Sequence, residues 1–140
     1  MATTTTTTGL IRENKDLAVL LLRLGVGAIF IVAGWGKLTG IEGTQGFFGE
    51  LGIPMPVVMA WVVALTEFVG GIMVLLGLYI RIPTVLLAIV MLVAIFMVNL
   101  PQGFAEMRLD LMLLLSNLSL FFLGSGRYSI DALLPKDARL

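Results

Sequence analysis

Four long runs of apolar residues constrain this chain more than any other feature of it. Leu17 to Leu38, Pro56 to Ile80 and Ile82 to Asn99 each approach or exceed the length at which a helix crosses hydrocarbon, about 20 residues. The fourth run, Leu109 to Gly124, is shorter. Extended back to Phe104 it reaches the required length, with Glu106, Arg108 and Asp110 in its first turns at the membrane surface. None of the runs alternates as barrel strands do. A bilayer interior offers no water to backbone N–H and C=O groups, so uniform apolar runs with short connections predict helices. The expected fold is an all-α membrane protein, an antiparallel four-transmembrane-helix bundle. Pro54 and Pro56 mark the entry to the second run, Pro83 opens the third and Pro101 closes it. Only Arg81 separates the second run from the third, which demands a tight hairpin. A cleaved signal peptide is the rival reading of the first run, but Arg23 interrupts it and it is long for such a segment.

Composition agrees. Of 140 residues, 59% are apolar and 13% charged, against roughly 45–50% and about 25% in soluble domains. That excludes a disordered chain and a basic nucleic-acid binder. Nine Lys and Arg balance nine Asp and Glu, so net charge names no partner. With no Cys and no His, the chain lacks disulfides, thiol chemistry, the commonest general base and the usual ligands of haem and iron–sulfur centres. No catalytic residue and no metal site is expected.

Residues 1–16, with the Thr3–Thr8 run, are expected as a disordered N-terminus, 17–134 as the membrane domain and 135–140 as a cytoplasmic tail. Arg12, Lys15, Arg81, Arg127, Lys136 and Arg139 fall on one side of the bundle, Lys37 and Arg108 on the other. This bias predicts that both termini are cytoplasmic, in a multi-pass protein of the inner membrane. On the opposite side, Gly40, Gly43, Gly46, Gly49 and Gly52 recur around Phe47, Phe48, Leu51 and Ile53. That stretch reads as a flexible loop at the interface or, alternatively, as a lid or re-entrant segment over a pocket.

Polar residues at membrane depth are the candidate site. A charge at the middle of a span costs about 2.5–3.5 kcal/mol on insertion scales, so Glu67 should face the bundle interior. Glu67, Gly70, Gly71, Val74 and Gly77 share one helix face; Arg23, Gly27, Phe30, Gly34 and Lys37 share another. Thr84, Ala88, Met91, Ile95 and Asn99 align on the third run, and Asp110, Asn117, Phe121 and Gly124 on the fourth. Arg23, Lys37, Glu67, Asn99, Asp110 and Asn117 form the expected intramembrane polar cluster. Arg23 is the nearest candidate partner for Glu67, and Lys37 for Asp110. These charges serve either as packing ion pairs or as a ligand site.

Arg23-Leu24-Gly25-Val26-Gly27, Gly34-Trp35-Gly36-Lys37-Leu38, Glu67-Phe68-Val69-Gly70-Gly71 and Gly124-Ser125-Gly126-Arg127-Tyr128-Ser129-Ile130-Asp131 occur in that order. Leu76-Gly77-Leu78 and Arg81 lie between the last two. This set resembles the DoxX family of small four-helix membrane proteins over roughly residues 17–134. The resemblance implies a link to quinone-dependent respiratory chemistry, as in subunits of a thiosulfate:quinone oxidoreductase or a terminal quinol oxidase. Other members accompany redox-defence and sulfur-transfer proteins. The expectation is an accessory membrane subunit rather than a self-sufficient enzyme, with no intrinsic cofactor and a quinone or similar lipophile as its ligand. Membrane lipid, an oxidoreductase partner subunit and further copies of the chain are the expected partners, and nucleic acid is not. The alternatives are a scaffold that recruits a soluble redox enzyme at its cytoplasmic face, and a small oligomeric exporter or channel.

Overall fold

The structure, a computed structural model, describes the backbone of residues 2–139 and the side chains of Ile11 and of residues 14–139. Five helices make up the fold: α1 (Ala2–Thr39), α2 (Ile41–Glu50), α3 (Pro56–Leu76), α4 (Arg81–Ala94) and α5 (Phe104–Leu123). No strand occurs among the described residues. Among the described residues, three segments are long and apolar enough to cross a membrane, Asn14–Thr39, Pro56–Leu76 and Arg81–Gln102. The fourth, α5, is a helix of 20 residues that carries Glu106, Arg108 and Asp110 near its start. The backbone of the Thr3–Thr8 run, expected as disordered chain, continues α1; extending a formed helix is easier than starting one, even for β-branched residues. The side chains of that run and of Arg12 lie outside the described residues.

The helices alternate in direction and close into a ring, α1 against α3, α3 against α4, α4 against α5, and α5 against α1. The α1–α3 seam is the tightest, and glycine is the reason. A Cβ on Gly27 would lie 2.9 Å from the Gly71 carbonyl oxygen, and one on Gly71 2.8 Å from the Ile31 nitrogen. A Cβ on Gly34 would collide with the backbone of Phe68. Small residues let two backbones approach this closely where lipid supplies no hydrophobic drive between helices. The inward stripes read from the periodicity are the buried ones: Glu67, Gly70, Gly71 and Val74 on α3, and Thr84, Ala88 and Met91 on α4. The core joins them to Val26, Phe30, Leu87, Leu113 and Leu120.

Pro101 deforms the end of α4. It has no N–H, and its ring would strike the carbonyl of the preceding turn. The helix widens into a π turn at Ile95–Asn99 and tightens into a 3-10 turn at Leu100–Gln102. Asn99 closes the π turn, a distortion that recurs at functional sites.

The end of the bundle that carries the α3–α4 turn is tied by two buried charges. Arg23, 2% exposed, donates from Nε to the Val74 carbonyl (3.1 Å) and from Nη2 to Leu75 (3.0 Å). Its Nη1 donates to the carbonyls of Ser125 (2.7 Å) and Tyr128 (2.8 Å). These are acceptors in the last turn of α3 and in the chain after α5, where a cation is favoured. Asp131 does the converse at the start of α4. Its carboxylate accepts from the backbone N–H of Tyr79 (2.8 Å) and Ile80 (3.3 Å) and from the Ser125 hydroxyl. The Ile130 and Asp131 N–H groups bond to the carbonyls of Leu76 and Gly77. Gly77, at φ 68°, makes the turn, and a Cβ there would strike Ser129 and the Arg23 guanidinium. The Gly124–Asp131 motif is therefore a strap that locks the α3–α4 turn to α1.

A buried ion pair in the wall of an apolar cavity

The expected pairing of Arg23 with Glu67 does not occur. Arg23 spends its donors on carbonyls, and Glu67 pairs with Lys37, Nζ to Oε2 at 2.6 Å. The reason is axial register. The glycine contacts of Gly27 with Gly71 and of Gly34 with Phe68 bring Lys37 level with Glu67. Arg23 lies about four turns, or roughly 21 Å, away along α1. The expected pairing of Lys37 with Asp110 is replaced too: Asp110 accepts a hydrogen bond from the Asn99 amide. Asn99 and Asp110 face each other because α4 and α5 run antiparallel on either side of the Gly103 turn, where φ is 111°.

Lys37, Glu67, Asn99 and Asp110 all line one cavity of about 440 Å³. Its remaining wall is mainly apolar, with Phe30 and Ala33 from α1, Met59 and Val63 from α3, Val90 and Met91 from α4, and Leu113 from α5. Thr66 adds a hydroxyl. Of the six expected polar residues, four meet here and two do not. Arg23 belongs to the strap. Asn117 is buried in the core; its amide donates to the Leu113 carbonyl (2.8 Å), while its Oδ1 has no hydrogen-bond partner among the described residues.

The glycine-rich stretch after α1 forms a cover. Because α1 ends near the level of Ala64, the outer part of α3 needs another neighbour, and α2 supplies it. Phe48 and Ile53 are buried against Ala60 with Met59 and Val63 around them, and Phe47 and Phe48 reach the cavity. The sequence predicts Phe47 and Phe48 in an interfacial loop or lid and does not tie them to the Lys37–Glu67 pair. The aromatic pair amid glycines was the available signal. Among the described residues, no cluster of acidic side chains could hold a metal ion.

An all-helical bundle with a charged, apolar-walled cavity at membrane depth defines a small multi-pass membrane protein. The sequence profile of the DoxX family matches residues 18–100, and the chain belongs to that family. It is 39% identical over 120 residues to "Putative oxidoreductase CatD" of Bacillus subtilis, covering 85% of this chain and 88% of the relative. It is 36% identical over 132 residues to "Inner membrane protein YqjF" of Escherichia coli, covering 89% and 98%. A membrane protein of Mycobacterium tuberculosis is 35% identical over 144 residues, covering 92% and 88%. No solved structure matches the chain. Inner-membrane residence agrees with these relatives and with the three apolar helices.

Proposed function

We propose that this chain is an integral membrane subunit of quinone-linked redox chemistry, binding a quinone or similar lipophile in the cavity and working with a partner oxidoreductase. The observation that carries this reading is the placement of the Lys37–Glu67 and Asn99–Asp110 pairs in the wall of an otherwise apolar cavity. A quinone needs an apolar slot, donors for its oxygens and groups that exchange protons. The Lys37 ammonium has three N–H donors and the Asn99 amide two. One of each is engaged within the pairs, leaving others for a ligand oxygen. The Glu67 and Asp110 carboxylates are placed to take up or release the accompanying protons. Electrons would come from a centre on the partner, since the chain has no Cys or His to ligate haem or a cluster. The CatD relative, named as an oxidoreductase, supports the redox assignment.

The accompanying topology is four crossing helices, α5 included, with both termini cytoplasmic. Single cysteines test it cleanly in a chain that has none. Pro135→Cys should label from the cytoplasm only and Gln45→Cys from the other side only. For the ligand, protein purified in mild detergent is extracted and examined by native mass spectrometry. Stoichiometric quinone that is lost in Lys37→Met supports the reading. Preparations free of any retained lipophile, with no binding of added quinone, overturn it.

Docking of a soluble redox enzyme is a second reading, favoured by a hollow of about 740 Å³ at the strap end, bordered by Asp16, Arg127 and Arg139. Charge reversal at Arg127 should then abolish co-purification of the enzyme while leaving quinone content intact.

A further inference from the structure

The cavity meets the surface of the bundle along the seam between α3 and α4. At the strap end the seam is shut, with Leu87 packed onto Gly70. Beyond that contact Val62 on α3 and Leu86, Ile89 and Val93 on α4 line the cavity while remaining 44–52% exposed. These residues lie within two membrane-spanning segments, so their outer surface meets hydrocarbon. The α1–α5 seam contributes only Ile29 and Leu109 as exposed lining, and α2 closes the cavity from the end with Phe47 and Phe48. Toward the strap it is closed by the packed core, where Leu87 lies on Gly70.

We infer that the ligand enters sideways from the lipid between α3 and α4, and that it carries a long apolar tail which stays in this seam while its polar head reaches Lys37 and Glu67. This rests on the proposed lipophile site and adds the ligand's architecture and its route. A cavity capped by α2 at one end, bounded by packed core at the other and open to hydrocarbon between α3 and α4 admits what is dissolved in the bilayer. The rim is purely aliphatic, so it offers a tail contact area without a hydrogen-bonding demand; hydrocarbon supplies no hydrophobic drive here, so the tail is held by close van der Waals fit and by the high concentration of a tailed ligand in the bilayer. Val62 and Ile89 are then specificity-determining residues, far less tolerant of bulk than lipid-facing positions off the seam.

The test uses the whole protein in nanodiscs and a quinone bearing a diazirine at the end of a long tail. Photolabelling should be saturable, competed by unlabelled tailed quinone, and confined to peptides of α3 and α4 that contain Val62 and Leu86–Val93. Ile89→Trp should weaken that labelling about tenfold or more by overfilling the seam, whereas Leu65→Trp, at an exposed position outside the cavity lining, should leave it unchanged. Saturable labelling at the α1–α5 seam or on α2, or competition by a tail-less quinone as strong as by the tailed one, overturns the inference and leaves the quinone site standing. Non-saturable labelling spread over all lipid-facing helices, with no competition by either quinone, means bulk lipid contact only and removes both.

Discussion

The Lys37 ammonium and the Glu67 carboxylate lie 2.6 Å apart, yet their surroundings differ: the Lys37 side chain is 30% exposed and that of Glu67 4%. Glu67 is held on the closed face of α3 behind two glycines. Lys37 stands near the end of α1, where its long stem can reach out of the bundle. The pair is therefore asymmetric, and its two members should respond differently to removal.

Lys37→Met leaves a buried carboxylate without its cation, a change that typically costs about 3–5 kcal/mol. Glu67→Gln keeps a hydrogen-bond acceptor for Lys37, whose freed charge can turn outward, so a loss nearer 1–2 kcal/mol is expected. Thermal unfolding in detergent should rank Lys37→Met as the more damaging change. The double variant Lys37→Met/Glu67→Gln should recover part of the loss, and a double-mutant cycle reads the coupling. Additive losses would show the two side chains to be independent. Arg23→Met combined with Glu67→Gln should be additive, since Arg23 has other partners.

Arg23 joins α1 to the last turn of α3 and to the strap through four carbonyls. Hydrogen bonds to charged groups contribute about 1.5–3 kcal/mol each, without simple additivity. Arg23→Met should cost at least about 3 kcal/mol and free the strap, made visible as new proteolytic cleavage after Gly124. Arg23→Lys keeps the charge but has a point ammonium in place of the guanidinium fork, so it should rescue only partly. A strap that stays protected in Arg23→Met would show that the Asp131 contacts suffice.

The period of the apolar residues made α1, α3 and α4 and their inward faces legible, because a helix repeats every 3.6 residues whatever it packs against. It left the pairing open. Periodicity fixes the direction a side chain takes around its own helix, whereas partners depend on how far one helix slides along the next. That slide is set by backbone contacts at Gly27, Gly34 and Gly71, and it puts Lys37 rather than Arg23 opposite Glu67. Arg23 misled for a second reason: its partners are carbonyls, which every residue has and no sequence marks. α2 was hidden by its glycines, poor helix formers; burial of Phe48 and Ile53 against α3 outweighs that propensity.

The glycines of α1 are not equivalent. Gly34 abuts the Phe68 backbone, while a Cβ on Gly25 or Gly36 meets nothing within 4 Å. Gly34→Ala must push α1 and α3 apart, with an expected cost of about 1–3 kcal/mol or more, as for overpacked cores. It should also loosen the Lys37–Glu67 contact. Gly25→Ala and Gly36→Ala remove backbone freedom without a clash and should be neutral or stabilising by about 0.5–1 kcal/mol. Equal effects at Gly34 and Gly36 in thermal unfolding would refute the close α1–α3 packing.

Asn117 is fully buried, with its amide donating to the Leu113 carbonyl and its Oδ1 unpaired. The donated bond adds little, because that carbonyl already lies inside a helix. The unpaired oxygen carries a desolvation penalty of about 1–3 kcal/mol. Leu113 and Leu120, on the same helix, are buried in the apolar core. Asn117→Leu replaces the amide with a side chain of similar volume and no polar atom, so it should raise the unfolding temperature. Asn117→Ala removes the same polar atoms but leaves a void, and should lower it. The two variants together separate polarity from packing. Should Asn117→Leu prove destabilising while quinone binding falls, the unpaired oxygen is there to meet a ligand or a moving helix, and Asn117 joins the site that Lys37 and Glu67 define.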